Sequence, residues 1–164
     1  MPGNLTAALA SYPVVVVEGC DGTGKTTLAT SLAGQHGHTV IHSGRTPDGT
    51  DLAARYQAIL ATPGKLALDR SFVSELVYGP IDHGRSRLTL PAAIALTQRV
   101  AARGGVLVHL TGRPDIIAAR LRARDGAAPA TDRISALIRA YHNTFAILAS
   151  TAAVLTIDTT TPRP

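Results

Sequence analysis

The stretch VVVVEGCDGTGKTTLA, residues 14–29, joins four consecutive valines to a glycine-rich loop and then to a helix-forming run. Four β-branched residues between Pro13 and Gly19 are typical of a strand that is buried on both faces. The helical pattern begins at Lys25 and extends to about Ala33. A buried strand followed closely by a helix predicts an α/β fold in which the loop between them forms a binding site.

The loop itself matches the pattern G-x-x-x-x-G-K-[ST] at residues 19–26. Its glycines allow successive backbone N–H groups to point toward phosphate oxygens, and the N-terminus of the helix adds a positive field there. Lys25 would reach the outer phosphates, and Thr26 would offer its hydroxyl to Mg²⁺. We therefore predict a site for ATP and Mg²⁺, with GTP left open as the donor. The predicted nucleotide-binding residues of the loop are Gly19, Asp21, Gly22, Thr23, Gly24, Lys25, Thr26 and Thr27.

The rest of the chain alternates between strand and helix patterns. Elements that alternate through short connections predict a three-layer α/β sandwich, with helices on both faces of a five-stranded parallel sheet, in one domain over residues 1–164. Besides the valine strand, the predicted strands are 38–42, 65–69, 106–110 and 153–158. Later helices are predicted from the N-cap Thr50, over 71–78, from Pro91 to Arg103, from Pro114 to about Arg124 and from the N-cap Thr131, with a loop over 79–90.

The composition is that of a globular protein. The 164 residues suit one domain, 45% are hydrophobic and 16% charged, and no segment approaches the roughly 20 apolar residues that span a bilayer. Residues 1–13 lack the basic start and apolar core of a signal peptide. Cys20 is the only cysteine, so no internal disulfide can form. We predict a cytoplasmic protein without a membrane partner, in which Cys20 is a small filler of the loop.

The net charge of +5 is unevenly distributed along the chain. Residues 81–140 contain ten arginines and four acids, whereas the rest of the chain carries six basic and seven acidic residues. Such a region could bind DNA or another phosphate-rich partner. The competing explanation is that the high ratio of arginine to lysine reflects the base composition of the gene.

A candidate carboxylate ends the predicted strand 65–69. We expect this strand beside the valine strand, where Asp69 could hold the water shell of Mg²⁺ or accept a proton from an acceptor hydroxyl. Arg70 follows directly and could serve the phosphates, while capping of the next helix is the alternative for Asp69. Glu18, just before the loop, is a candidate metal group or merely an acid at the end of a strand.

VEGCDGTGKTT at residues 17–27 and LDRSFVSELVY at residues 68–78 together resemble the thymidylate kinases, which are P-loop nucleoside and nucleotide kinases. That family reads Glu-Gly-x-Asp-Gly-x-Gly-Lys-Thr-Thr in the first motif and Asp-Arg-Tyr-x-x-Ser-x-x-Ala-Tyr-Gln in the second. Deoxynucleoside kinases have a similar acid-Arg-Ser motif, and this class of kinases covers essentially the length of the chain. In register, Asp69, Arg70, Ser74 and Tyr78 match the second motif.

The resemblance implies which residues would hold the acceptor. Asp21 would bind a sugar hydroxyl, and Arg70 would bind the acceptor phosphate or the transferring phosphoryl group. Arg45 would occupy the position of the arginine in the family's REPGGT motif. Glu75 could hydrogen-bond an acceptor base, although an exposed helical glutamate is the plainer interpretation. The predicted acceptor-binding residues are Asp21, Arg45, Arg70, Ser74, Glu75 and Tyr78.

The family also has an arginine-bearing lid between its last two helices, and ARLRARDG occupies that position here, in a lid at about 120–131. At 100° per residue, Arg120 and Arg124 lie about 40° apart on one helical face, while Arg122 lies roughly 200° from Arg120. Because the loop has no arginine, we predict that Arg120 and Arg124 stabilise the negative charge on the transferring phosphoryl group. A solvated helix face is the alternative. The predicted nucleotide contacts outside the loop are Arg120, Asp158 and Thr159, the last two in the family's loop beneath adenine.

The chain departs from the family around the acceptor. The family has an additional helix that contributes to the thymine pocket, whereas only a few residues separate Leu60 from Lys65 here. Its Tyr-Gln reads Tyr78-Gly79, and its Asp-Arg-Tyr ends in Ser71. A shortened site could take thymidylate, another nucleotide, a small metabolite, or a base or end of a nucleic acid strand. The arginines that would suit a nucleic acid are Arg85, Arg87, Arg99 and Arg103.

Three functions follow from these patterns. The first is a kinase that moves the γ-phosphoryl group of ATP onto a deoxynucleoside monophosphate-like acceptor, thymidylate by resemblance. The second is a kinase that acts on a hydroxyl of a modified base in DNA or on a polynucleotide end, and the third is an ATP-binding module without transfer. A homodimer is left open.

The six histidines lack zinc-binding spacing, and His109 is predicted to be a core residue.

Overall fold

A computed structural model describes residues 3–161 of the chain and confirms the predicted five-stranded parallel sheet. The strands are β1 (Val14–Glu18), β2 (Thr39–His42), β3 (Leu66–Asp69), β4 (Val106–Thr111) and β5 (Val154–Asp158). The helices are α1 (Gly3–Leu9), α2 (Lys25–His36), α3 (Leu52–Ala61), α4 (Phe72–His83), α5 (Leu90–Ala102), α6 (Pro114–Asp125) and α7 (Thr131–Leu148). The strand order is β2-β3-β1-β4-β5, so the valine strand is central and β3 lies beside it, as predicted.

Helices cover both faces of the sheet because the side chains of a strand alternate between its faces. Val14 and Val16 pack with residues of α3 to α7 on one face, and Val15 and Val17 pack with α1 and α2 on the other. All four valines are fully buried. The result is the predicted three-layer sandwich, in which the carboxyl ends of all strands meet at one edge. Among residues 3–161, no helix combines the length and the hydropathy needed to cross a membrane.

Helix α4 is longer than predicted, because residues 79–83 continue it instead of forming a loop. Pro80 lacks a backbone N–H and would ordinarily end or kink a helix. Here the helix continues past Pro80 and ends at Gly84, whose left-handed backbone (φ 71°) lets its N–H donate to Pro80 O. The glycine cap therefore decides where α4 ends, and the predicted loop shrinks to the turn 84–89.

Other helix ends also differ from the prediction. The N-cap of α3 is Asp51, whose carboxylate accepts a backbone N–H of the first turn, while the Thr50 hydroxyl donates to a preceding carbonyl. Thr131 is the first residue of α7 and does not cap it, since Ala130 occupies the N-cap position. Helix α2 extends past Ala33 to a glycine cap at Gly37. Helix α1, missing from the prediction, has only seven residues and is too short to show an apolar period.

His109 on β4 lies in the core, as predicted, with 2% of its surface exposed. Its ring stacks on Phe145 at a centroid distance of 4.6 Å and on Tyr141 at 6.0 Å. Burial lowers the pKa of His109 to about 4, and the nearby His142 acts in the same direction. The imidazole is therefore neutral in the folded protein at pH 7.

Because of this histidine, we expect stability to fall as the pH drops from 6.5 toward 4. In this window the histidine of the unfolded chain binds a proton that folded His109 does not accept, so protonation favours unfolding. Urea titrations should show a loss of about 1–3 kcal/mol in the free energy of unfolding across the window. A His109→Phe variant, which keeps the aromatic stack, should lose markedly less. Equal acid sensitivity of the two proteins would assign the loss to other groups.

Candidate functional site

The loop between β1 and α2 has a backbone that favours glycine. Gly22 and Gly24 have φ angles of 82° and 93°. At Gly19 an added Cβ would lie 2.2 Å from Leu110 O, and at Gly22 it would lie 3.0 Å from the Leu121 side chain on α6. The glycines of the motif therefore allow the loop to turn and allow α6 to approach it closely.

Lys25 is buried against this loop, with 6% of its surface exposed. Its Nζ donates to Gly19 O at 2.8 Å and to Cys20 O at 2.9 Å, and it lies 3.5 Å from Asp21 Oδ1. Burial lowers the pKa of the ammonium, while the Asp21 carboxylate opposes that shift. The amine is thus held by carbonyl oxygens that phosphate oxygens could replace. Burial also raises the pKa of the Cys20 thiol to about 11, which favours a neutral filler of the loop.

Asp69 faces Thr26 across the end of the sheet. The Thr26 hydroxyl donates to Asp69 Oδ2 at 2.7 Å, and the His42 ring N–H donates to the same oxygen at 2.8 Å. Asp69 does not cap α4, because the Ser71 side chain does. Mg²⁺ is commonly held by one or two protein groups together with water and phosphate oxygens, and this hydroxyl–carboxylate pair fits such a site. Within the described part of the chain, no cluster of three or more His, Cys, Asp or Glu side chains could hold a metal ion.

His42 is a member of the site that the sequence prediction missed. It ends β2 and stands opposite Asp69 in the register of β2 and β3. The sequence does contain a signal for this contact: His42 and Asp69 are each the last residue of a short strand pattern. Both would therefore lie at the carboxyl edge of a parallel sheet. The order of the strands is what makes them neighbours.

Arg70 has a backbone that is unusual for a residue with a side chain. Its φ is 65°, and it is the one non-glycine residue with a positive φ in the described range. This left-handed conformation costs about 1–2 kcal/mol, and such costs are concentrated at functional sites. The guanidinium forms an ion pair with Asp21 of the loop. The conformation thus accompanies a side chain that contacts the loop.

Two cavities adjoin at Arg70. The first, which we call the loop cavity, has a volume of about 610 Å³, and the second, the α4 cavity, has a volume of about 1070 Å³. Arg70, Ser43 and Gly44 line both. Of the loop residues predicted to bind ATP, all except Gly19 and Thr23 line the loop cavity. Two adjoining volumes therefore meet beside the phosphate-binding motif.

Helix α6 brings Arg120 and Arg124 to the loop cavity from one face, which is the arrangement that their spacing predicts, and Arg122 does not line it. Arg120 donates to Thr159 Oγ1 at 3.0 Å and to Thr159 O at 2.6 Å. Arg124 pairs with the aspartate that follows it. Arg120 thus links the predicted adenine loop to the cavity, although Asp158 and Thr159 do not line the cavity themselves.

Glu18 is fully buried and contacts the start of α4. Its Oε1 accepts from the N–H and hydroxyl of Ser71 and from the N–H of Ser74, and its Oε2 accepts from the hydroxyls of Ser74 and Tyr141. Burial raises the pKa of Glu18, and the Ser74 and Ser71 hydroxyls act against that shift. Both oxygens are engaged by protein donors, which favours a role in fixing the start of α4. The metal role predicted for Glu18 stays a prediction.

The α4 cavity gathers five of the six predicted acceptor residues, and Asp21 lies in the adjoining loop cavity. Glu75 is engaged there, because its carboxylate pairs with Arg87 at 3.0 Å. The Tyr78 ring packs edge-on against Tyr141 at a centroid distance of 6.2 Å. The predicted contact between Glu75 and an acceptor base would therefore compete with an existing ion pair. The five residues are Arg45, Arg70, Ser74, Glu75 and Tyr78.

The arginine-rich region is not a continuous free surface. Arg87 bonds to Glu75 and to Thr46, and Arg103 donates to three carbonyl oxygens in the last turn of α3 and in the loop after it. Arg99 is exposed. The number of arginines in the sequence therefore overstates the charge that a nucleic acid could contact.

No protein-family model matches the chain, and no curated protein matches it in sequence. Solved structures do resemble it. The YorR protein from Bacillus subtilis, solved in complex with phosphorylated GDP, is 22% identical with a TM-score of 0.78, over 89% of this chain and 85% of that chain. Deoxyadenosine kinase from M. mycoides with bound dCTP is 11% identical with a TM-score of 0.58, over 89% and 90%. Shikimate kinase from Acinetobacter baumannii in complex with shikimate is 17% identical with a TM-score of 0.52, over 97% and 89%. At these identities the likeness establishes the P-loop kinase fold.

Proposed function

We propose that this chain is a kinase that transfers the γ-phosphoryl group of ATP, with Mg²⁺, to a nucleoside monophosphate-like acceptor. The observation that carries the proposal is the position of Arg70, where the loop cavity and the α4 cavity adjoin. Phosphoryl transfer requires two bound molecules held with their reacting groups in contact, and two adjoining cavities provide that arrangement. The likeness of the fold to kinases of several substrates supports the transfer reaction.

On the donor side, the backbone N–H groups of the loop would bind the phosphates of ATP, and Lys25 would exchange its carbonyl partners for phosphate oxygens. Mg²⁺, when bound by Thr26 and Asp69, supplies positive charge that stabilises the phosphates during transfer. Arg120 and Arg124 line the same cavity and would add positive charge beside the transferring group. These residues come from three different elements, so binding of ATP would tie the loop, β3 and α6 together.

On the acceptor side, Arg70 would contact the transferring group, because it lines both cavities. Asp21 would exchange its ion pair with Arg70 for a hydroxyl of the acceptor. Asp69 could accept the proton of the attacking oxygen, since its carboxylate lies at the same edge of the sheet. Each of these three roles stays a proposal: Arg70 lines both cavities, and Asp21 and Asp69 line the loop cavity beside it.

We propose thymidylate as the leading acceptor and expect related nucleotides to be accepted as well. Helix α3 ends at Ala61 and β3 begins at Leu66, so the additional helix of the thymidylate kinases is absent. The α4 cavity, at about 1070 Å³, has more room than one pyrimidine nucleotide fills. A kinase acting on DNA is less favoured because Arg87 and Arg103 are bonded internally. We also propose that the chain acts in the cytoplasm as one domain.

Acceptor-dependent release of ADP tests the function. With Mg²⁺ and labelled ATP, deoxynucleoside monophosphates are expected to raise ADP release well above the rate of ATP alone and to yield labelled diphosphates. The same panel should include nucleosides, single-stranded DNA and duplex DNA containing hydroxylated bases. Stimulation by DNA alone would transfer the assignment to a nucleic-acid kinase. If no acceptor stimulated release, the chain would be an ATP-binding module.

A further inference from the structure

The α4 cavity contains two arginines whose charges are not neutralised by a partner. Four arginines line the cavity, and two of them, Arg70 and Arg87, pair with acids. Arg45 and Arg85 are exposed, and neither forms a hydrogen bond or an ion pair with any residue in the described range. Two free guanidiniums in one cavity favour binding of an anion.

The pair of Glu75 and Arg87, which we call the latch, fixes the segments that carry these two arginines. The Arg87 backbone N–H donates to Glu75 Oε1 at 2.7 Å, and its guanidinium donates to Glu75 Oε2 at 3.0 Å and to Thr46 Oγ1 at 2.9 Å. Arg85 precedes Arg87 by two residues, and Arg45 directly precedes Thr46. One guanidinium therefore ties together α4, the turn after α4 and the loop after β2.

Gly79 allows the turn with Arg85 to lie directly on α4. A Cβ at this position would lie 2.8 Å from Arg85 O and 2.9 Å from Glu75 Oε1. Any larger residue would therefore have to displace the turn or the latch. The glutamine that the resembled family has after the tyrosine would therefore not fit beside this turn without displacing it.

We propose that Arg85 is an acceptor-binding residue that acts with Arg45 to bind a phosphomonoester, and that the latch positions both arginines. The inference rests on the proposed kinase function and adds to it the chemical group by which the acceptor is selected. A phosphomonoester carries a charge close to −2 at neutral pH, and two guanidiniums can bind its oxygens through charge-assisted hydrogen bonds. Asp48 lines the same cavity without an ion pair among the described residues and offsets part of their charge.

Arg85→Gln is expected to raise the KM for the acceptor nucleotide about 10- to 100-fold, because a hydrogen bond to a charged group is lost. The KM for ATP should be unchanged, since Arg85 does not line the loop cavity. The matched control is Arg139→Gln on α7, which removes an exposed arginine that lines neither cavity and should leave both constants unchanged. Asp48→Asn should act in the opposite direction to Arg85→Gln and lower the acceptor KM modestly.

The preference for a phosphorylated acceptor gives a sharper readout than KM alone. In equilibrium binding to the parent protein, thymidine monophosphate should bind more tightly than thymidine, and Arg85→Gln should remove most of that difference by weakening the monophosphate only. Ribose 5-phosphate tests whether the phosphate suffices or the nucleoside is also required. Retention of the full preference in Arg85→Gln would overturn the role of Arg85.

The latch is tested by Glu75→Gln, which keeps the size of the side chain and removes the charge that holds Arg87. We expect the acceptor KM to rise while kcat changes little. The effect should be smaller in an Arg85→Gln background than in the parent, because the latch acts partly through Arg85. Full additivity of the two substitutions would contradict the positioning role. Absence of ADP release with every acceptor would instead reject the kinase function, so the two failures are distinguishable.

Discussion

Lys25→Ala is expected to abolish phosphoryl transfer while the protein still folds. The amine is buried against the loop, where its Nζ lies 2.8 Å and 2.9 Å from the carbonyl oxygens of Gly19 and Cys20. In the nucleotide complex the same amine would bind the outer phosphates, and its contribution would be largest as charge develops during transfer. We expect kcat/KM to fall by about a thousandfold or more in labelled-ATP assays with a saturating acceptor.

The second lysine of the chain provides a matched control for this experiment. Lys65 Nζ donates to Ala10 O at 3.0 Å on the surface, away from both cavities. Lys65→Ala should therefore retain transfer, and thermal unfolding of both variants should show a cooperative transition. Transfer at the parent rate by Lys25→Ala would show that the loop does not hold the phosphates of the donor.

Asp69→Asn is expected to lower kcat by about a hundredfold or more, with a higher requirement for Mg²⁺. The carboxylate is 5% exposed and accepts from Thr26 and His42 through the same oxygen. An amide can still accept from Thr26, but it carries no charge for a metal ion or for a proton on the attacking oxygen of the acceptor phosphate. The measurement is the initial rate at graded Mg²⁺ concentrations, with ATP and acceptor both saturating.

The control for Asp69→Asn is Asp132→Asn, which removes an exposed carboxylate on the first turn of α7. This substitution should change neither the rate nor the requirement for Mg²⁺. If Asp69→Asn showed an unchanged Mg²⁺ dependence together with a reduced rate, the role of the carboxylate would be to accept a proton from the attacking oxygen of the acceptor. An unchanged rate would remove Asp69 from the mechanism altogether.

Most of the fold could be predicted because its signals are local. Four consecutive valines mark the central strand, and the glycine motif places the start of α2 at Lys25. The errors fall where a local rule competes with packing or with a cap. The glycines and charges of residues 79–90 predict a loop, but α4 continues through Pro80 to the cap at Gly84. Thr50 was a suitable N-cap by residue type, but the neighbouring Asp51 takes that position.

The sequence predicted more of the residues of the candidate site than of the contacts between them. The motif and the spacing on α6 identified Lys25, Arg120 and Arg124, all of which line the loop cavity. His42 was missed, since its contact with Asp69 depends on β2 lying beside β3. The contact of Glu75 with an acceptor base stays a prediction, whereas its ion pair with Arg87 could not be predicted, because Arg87 lies twelve residues away on a turn whose path the sequence does not reveal.

The sequence by itself determined the strand–loop–helix unit, the alternation of elements and the face of α6 that carries two arginines. These depend on φ/ψ preferences and on residue periodicity, which act over a few neighbouring positions. Only the tertiary structure decided which charges are paired: Glu18 is engaged by two serines and a tyrosine, Arg87 by Glu75, and Arg45 and Arg85 by no described residue. The physical reason is that a charge is neutralised by whichever group lies within a few ångströms in space, and strand order and helix packing set that distance.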